Sequence, residues 1–298
     1  MEKLCKNKLF FVSAALLVCA LWGSLYAFIK LGYSAFGVRA GDIPSVLLFA
    51  GSRFIISGAV MVAAVSVKER KISPPTGKRL VYSVVTGTLS VAFHYALTYI
   101  ALSLTSAGKV AVIKQVGFLL LPCFAFLFRK EDKLSHCKII GAVLGFAAIV
   151  VINLEGMSFA FSLGDWLVLA ASFCTAASTV VAKKAYESCS PGHILAYGQL
   201  WGGILLAASG AFCGGSVSPA GLSSFGVLAY ICFASVLSYM LWENLLKYNE
   251  MSRMSVIKSW EPIFAMLFSA MLMQENIMRP ENVIAVVMVI AAVIIAER

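Results

Sequence analysis

The chain is poor in charge: only 13% of its 298 residues are Asp, Glu, Lys or Arg, whereas 60% are hydrophobic and the mean hydropathy is +0.90. A soluble protein of that composition would lack the polar surface needed to cover itself, so lipid is the expected main solvent. The length leaves little besides the apolar runs and short loops, so no separate soluble domain is expected. Histidine is scarce, at three residues. His94 has no second His or Cys at ligand spacing, so neither a metal site nor another cofactor is expected. The eight cysteines form no CxxC pair and fall mostly in apolar runs. They read as small packing residues rather than as disulfides or ligands. There is no HExxH, no acid cluster and no activated Ser/His arrangement, which removes the usual signatures of an enzyme. Sustained period-two alternation is also missing, and with it the case for strands.

What the chain does have is long apolar segments. A hydrocarbon core of about 30 Å takes about 20 apolar residues per helix. Ten segments meet or nearly meet this length: 9–29, 44–67, 80–100, 107–128, 138–153, 164–182, 193–213, 225–246, 254–274 and 281–296. The first, preceded by Lys3, Lys6 and Lys8, is longer than the h-region of a signal peptide and is expected to stay as a helix.

The segments also repeat. Lys109-Val-Ala-Val-Ile-Lys114 recurs as Arg253-Met-Ser-Val-Ile-Lys258, displaced by 144 residues, and the same offset pairs Phe124 with Phe268 and Glu131 with Glu275. Pro44 and Pro191 stand 147 apart, and Lys30 and Lys183 stand 153 apart. Loop lengths thus differ while the order of elements is kept, which indicates an internal duplication. The expected architecture is an all-α integral membrane domain spanning 1–298. Repeat 1 covers 9–153 and repeat 2 covers 164–296, with five helices each. Because five is odd, the second copy enters the membrane upside down, and inverted repeats are the architecture of secondary transporters.

Loop charge gives the orientation. With the N-terminus inside, seventeen Lys and Arg fall in cytoplasmic segments, whereas only Lys30, Arg39 and Arg279 fall in the opposite loops. Both termini are therefore expected in the cytoplasm, with the protein in the cytoplasmic (inner) membrane. The net charge of +10 follows from this topology and from contact with anionic lipid, so no nucleic-acid partner is expected.

Short motifs carry a resemblance. Trp22-Gly23-Ser24, Thr105-Ser106-Ala107, Phe128 to Glu131, Glu261-Pro262 and Met273-Gln274-Glu275 resemble the EamA branch of the drug/metabolite transporter superfamily. The resemblance implies ten helices, cytoplasmic termini and transport of small metabolites such as amino acids or nucleotide-like compounds. It also implies that the short fifth and tenth spans stand at the edge of the bundle, where they could support a homodimer. The pattern departs at Phe118, where a counterpart of Pro262 is expected and Pro122 follows one turn later.

Ionisable residues deep in the spans are the main site candidates. Arg53, Lys114, Lys258 and Glu261 lie several residues from any helix end, where a charge costs at least ~2.5 to 3.5 kcal/mol. Lys258 and Glu261 are three apart on one face and can neutralise each other. Lys114 has Gly117 at the matching position, which leaves it to meet a substrate anion, to snorkel outward or to pair with Glu261. Arg53 either binds substrate or ties two helices together. Glu261 precedes Pro262, whose ring breaks the helix next to the carboxylate. Trp22, Tyr95, Tyr99, Trp201, Tyr239 and Trp260 also lie within spans, where each packs or joins Gln199 and His94 in lining a cavity. The expected activity is transport by alternating access of a small polar metabolite, an amino acid or amino-acid-containing compound, with an S-adenosylmethionine-like solute also suited to the aromatic set. A channel and an integral-membrane enzyme are the alternatives.

Overall fold

In a computed structural model of the chain, the described residues are 7–70, 74–114, 162–249, 260–274 and 279–296, with isolated positions between 137 and 159 and at 254, 257 and 258. Phe118, Pro122, Glu131, Arg253, Glu275 and most of the fifth predicted span lie outside them.

Each helix begins where local chemistry allows. Helix α1 (Lys8–Ala35) is capped by the Asn7 side chain, which accepts from the Leu9 and Phe10 amides. Helix α2 (Ile43–Glu69) is capped by Asp42, carries Pro44 in its first turn and stops at Arg70, whose φ of 54° is left-handed. Helix α3 runs from Lys78 to Leu104 and contains a π-turn at Thr88–Phe93. Helix α4 (Ala107–Lys114) follows, and the described bridge between the halves is a two-residue strand pair, Leu154–Glu155 with Ser158–Phe159. A reciprocal Ser162/Asp165 capping box opens α5 (Leu163–Tyr186), and Pro191 opens α6 (Pro191–Phe212). Helices α7 (Leu222–Tyr248), α8 (Glu261–Met273) and α9 (Pro280–Ala296) complete the set.

Among the described residues, six helices are long and apolar enough to cross a membrane, namely α1, α2, α3, α5, α6 and α7, and α8 and α9 are shorter apolar helices. The expected fourth and ninth spans are therefore visible as α4 and α8 only in part. Their surfaces fit lipid. Leu17, Val60, Phe93, Phe233 and Met271 are exposed, whereas Arg53, His94, Gln199, Ser235 and Glu261 are buried. Helix α1 packs on both α7 and α8, so it is an integral part of the bundle.

The tightest seam joins α2 to α6, which run antiparallel. Gly51 meets Ala207, Gly203 meets Ile55 and Gly58 meets Leu200, each so close that an added Cβ would lie within 2.7 Å of a backbone atom. Glycine permits this approach because it has no side chain to intervene. On the opposite face of α6, Gly198 and Gly202 receive Gly87 and Val91 at the π-turn of α3.

The two ends of the bundle differ. At the end holding the 36–42 and 213–221 loops, the Tyr33 hydroxyl donates to the Tyr99 carbonyl at 2.8 Å, and Phe36 and Tyr33 both pack on Phe49. The second loop is tied across α1 by Ser218 N–H to Phe36 O and Ala220 N–H to Ala35 O. Lys109 and Asp165 form an ion pair of 3.1 Å at the same end, where α4 and α5 begin. At the other end, among the described residues, the Tyr186 hydroxyl donates to Glu243 at 2.7 Å and His193 lies 3.3 Å from Glu69.

Candidate functional site

Helices α1, α2, α3, α5, α6 and α7, with Lys114, Lys258 and Glu261, enclose a cavity with about 1230 Å³ of empty space including its open mouth. It runs from Ile29 and Leu102 past mid-bundle to Tyr186, Ile194 and Leu246 toward the other end. Its wall is unusually charged for a span interior. Arg53, Lys114 and Lys258 face it together with Glu261 and Glu243, so cations formally exceed carboxylates by one.

The three cations are held differently. Lys258 Nζ lies 3.9 Å from Glu261 Oε2 and sits over the rings of Trp22 and Trp242, at 4.2 and 4.9 Å from their centroids. Two indoles and a carboxylate satisfy this ammonium locally. Lys114 Nζ has only the Tyr26 and Tyr95 rings, each at 5.4 Å, and among the described residues no carboxylate lies within 4.0 Å of it. Arg53 is fully buried; its Nη1 donates to the Ser235 hydroxyl and its guanidinium lies 3.7 Å from the Phe54 ring centroid. Its Nε and Nη2 have no hydrogen-bond partner among the described residues. A buried guanidinium with a free edge is costly unless something arrives to accept from it.

Glu261 accepts from the Tyr26 hydroxyl at 2.7 Å and stands at the first position of α8, where helix amide groups favour a carboxylate. The break expected from Pro262 falls at Trp260, a turn residue whose N–H reaches Ile257 O. Pro262 thus starts α8 instead of bending a continuous helix. The Tyr95 and Tyr239 hydroxyls touch across the cavity. His94 is buried, with Nδ1 against Ala171 O at 2.9 Å and Thr175 Oγ1 at 2.8 Å.

Of the sequence candidates, Arg53, Lys114, Lys258, Glu261, Trp22, Tyr95, Tyr239 and Gln199 converge on this cavity. Tyr99 stands behind Arg53, whose guanidinium is 5.3 Å from its ring centroid, and is fully buried outside the lining. Trp201 and Trp260 do not line it. Trp201 is 38% exposed and donates to Thr88, and Trp260 is 48% exposed, because both point outward from helices whose other faces are packed. Sequence reasoning missed Trp242, Tyr26 and the pair Tyr186–Glu243, whose hydroxyl and carboxylate lie 2.7 Å apart. Glu243 could have been found from the duplication, since it stands 144 residues after Tyr99 just as Tyr239 stands 144 after Tyr95.

A polar cavity enclosed by lipid-facing helices defines a membrane carrier or pore rather than a soluble binding protein. The chain belongs to the EamA-like transporter family, which matches residues 9–154 and again 162–297 and so establishes a multi-pass membrane protein built from two repeats. It is 24% identical over 227 residues to the uncharacterized transporter YyaM of Bacillus subtilis (strain 168), covering 73% of each chain. It is 25% identical over 280 residues to a probable amino-acid metabolite efflux pump of Salmonella typhimurium, covering 88% of this chain and 87% of the other. A crystal structure superposes with a TM-score of 0.68 at 19% identity, covering 95% of both chains, a likeness of fold alone.

Proposed function

We propose that this transporter moves a small carboxylate-bearing metabolite of the amino-acid class across the cytoplasmic membrane by alternating access, with both termini in the cytoplasm. The observation that carries the reading is the free guanidinium edge of Arg53 in a cavity with excess positive charge. Such a site rewards an anion, and it disfavours an S-adenosylmethionine-like solute, whose sulfonium and ammonium would meet three cations. The name of the Salmonella relative, an amino-acid metabolite efflux pump, supports the same class.

Alternating access is supported by the way the halves meet. Helix contacts come in pairs that the duplication relates: α1 with α7 answers α5 with α3, and α1 with α8 answers α5 with α4. Tyr95 and Tyr239, equivalent at the 144 offset, touch each other, as residues beside a two-fold axis in the membrane plane should. The ends follow the same relation. Tyr33 meets Tyr99 at one end, and their counterparts at offsets of 153 and 144, Tyr186 and Glu243, meet at the other. With the positive loops inside, the Tyr186–Glu243 end faces the cytoplasm, and parting one of these contacts while the other holds would present the cavity to each side in turn.

Counterflow in vesicles tests the function, with reporter fusions after residues 71 and 218 testing the topology. Saturable uptake of a labelled amino acid, accelerated by unlabelled amino acid trapped inside, is expected, with the two fusions on opposite sides. Flux without counterflow would make the protein a channel, a chemically changed solute would make it an enzyme, and fusions on one side would remove the inverted repeat.

The related lysines should part in their effects. Lys114→Met removes a cation with no carboxylate within 4.0 Å among the described residues, so the apparent substrate constant should rise about tenfold or more with near-normal Tm. Lys258→Met strands Glu261 without its cation, so its main effect should be lost stability, about 1–3 kcal/mol because Tyr26 still serves one oxygen. Thermal melts and substrate titrations on matched folded protein check the pair; a larger affinity loss in the Lys258 variant would reverse the assignment.

A further inference from the structure

The cavity wall has an uneven supply of hydrogen-bonding groups. Most of its hydroxyls are occupied by their own helices: Thr86 donates to Tyr82 O, Ser90 to Thr86 O, Thr98 to His94 O and Thr179 to Thr175 O. Four lining residues keep buried atoms without a hydrogen-bond partner among the described residues; two of them present a single atom, Trp22 at Nε1 and Glu261 at Oε2, the latter 3.9 Å from Lys258 Nζ, and the other two present a pair each. One is Arg53, with Nε and Nη2 free; the other is Gln199, 1% exposed, whose Oε1 and Nε2 both lack a partner among the described residues. A buried primary amide without partners is as exceptional as a buried unpaired guanidinium, and the two occur on neighbouring helices facing one space.

Their separation is fixed by the α2·α6 seam. With Gly51 opposite Ala207 and Gly58 opposite Leu200, Gln199 stands level with position 59, six residues along α2 from Arg53. At 1.5 Å per residue this is about 9 Å of axial offset. An extended chain covers about 3.3–3.6 Å per residue, so a dipeptide together with the reach of both side chains bridges it. Tyr95 and Tyr239 line the same cavity, Tyr95 with its ring 5.2 Å from the Arg53 guanidinium, and are available to pack apolar substituents.

We infer that the substrate is an amide-bearing carboxylate of dipeptide size, its carboxylate held by the free edge of Arg53 and its amide paired with Gln199. The Gln199 Nε2 donates to the amide carbonyl and its Oε1 accepts from the amide N–H, which satisfies both orphaned atoms at once. Arg53 takes both carboxylate oxygens in the two-pronged geometry that guanidinium favours. This assignment rests on the proposed function, because it names the members of the carboxylate class that the same cavity selects.

The probes are L-alanyl-L-alanine and L-alanyl-L-lactate, which differ only by an ester oxygen in place of the amide N–H, with L-alanine as a third compound. Binding is measured calorimetrically on purified full-length protein. The wild type should bind the dipeptide about tenfold or more tightly than the ester, because the ester leaves Oε1 unpaired against an oxygen lone pair. Gln199→Leu should bring the two affinities within about twofold while the protein keeps its Tm; Gln199→Met serves if the first variant does not insert. Equal binding of amide and ester by the wild type, or discrimination that survives in the folded Gln199 variants, would overturn the inference. Binding of alanine without binding of the dipeptide would overturn it too and leave the proposed function standing. Binding of none of the three would overturn both.

Discussion

Arg53→Met should abolish substrate binding and leave the protein at least as heat-stable as the wild type. The guanidinium is fully buried, with no carboxylate within 4.0 Å among the described residues and two of its nitrogens without partners. Its local support is the Ser235 hydroxyl, the face of Phe54 at 3.7 Å and the more distant rings of Tyr95 and Tyr99 at 5.2 and 5.3 Å. Desolvating a charge costs several kcal/mol, and one hydroxyl and three rings, two of them beyond 5 Å, recover only part of that. Methionine has a similar length, fills the same space beside Phe54, Tyr95 and Tyr99, and removes the desolvation cost. A residue that is costly in the empty protein and gainful only with an anion in place is the pattern of a binding group. Two charge-assisted hydrogen bonds at about 1.5–3 kcal/mol each correspond to at least about a hundredfold loss of affinity. Calorimetric titration and a thermal melt of the same preparation check both halves. Affinity within threefold of wild type, or a fall in Tm of several degrees, would make Arg53 a helix tie rather than an anchor.

The largest effect on assembly is expected at Gly51. An alanine Cβ there would lie 2.2 Å from Ala207 N and 2.6 Å from its Cα, both backbone atoms in the middle of α6. A side chain could rotate away, but a helix backbone can yield only by shifting as a whole, and Gly58, Gly203 and Gly210 lock the same seam at other levels. Gly51→Ala should therefore cost about 3 kcal/mol, at the upper end of overpacking, and lower the yield of folded protein. The matching control is Gly226→Ala on the exposed face of α7, where the added Cβ meets nothing within 4 Å. That change should be neutral or add about 0.5–1 kcal/mol through helix propensity. Comparing the two by thermal melt and by yield in detergent separates seam packing from any general intolerance of alanine. Equal Tm values for the two variants would disprove the close approach.

Much of the carrier was legible before any coordinates. Apolar run length identified α1, α2, α3, α5, α6 and α7, because lipid allows only segments that satisfy their own backbone. Arg53, Lys114, Lys258 and Glu261 stood out for the same reason, since a charge in a span demands a partner or a wet cavity. Aromatic residues gave no such signal. A tryptophan is at home on either side of a helix, so sequence alone placed Trp201 and Trp260 with Trp22, and the structure turns the first two outward. Glu243 escaped attention because it lies near the end of its run, where a charge is cheap, and only its contact with Tyr186 and the cavity shows its place.

The sequence by itself determined that the chain is a duplicated membrane protein, since composition, run length and the 144-residue echo are local or periodic quantities that need no knowledge of packing. Tertiary structure decided which charges are satisfied and which are left free. Lys114 and Lys258 are equivalents in sequence, yet Lys258 sits between two indoles and a carboxylate while Lys114, among the described residues, has two distant tyrosine rings and no carboxylate within 4.0 Å. The free edges of Arg53 and Gln199 likewise depend on what neighbouring helices do not supply. The physical reason is that hydrogen bonding and charge pairing act over a few ångströms between residues far apart in the chain, so they are fixed only once the helices have packed.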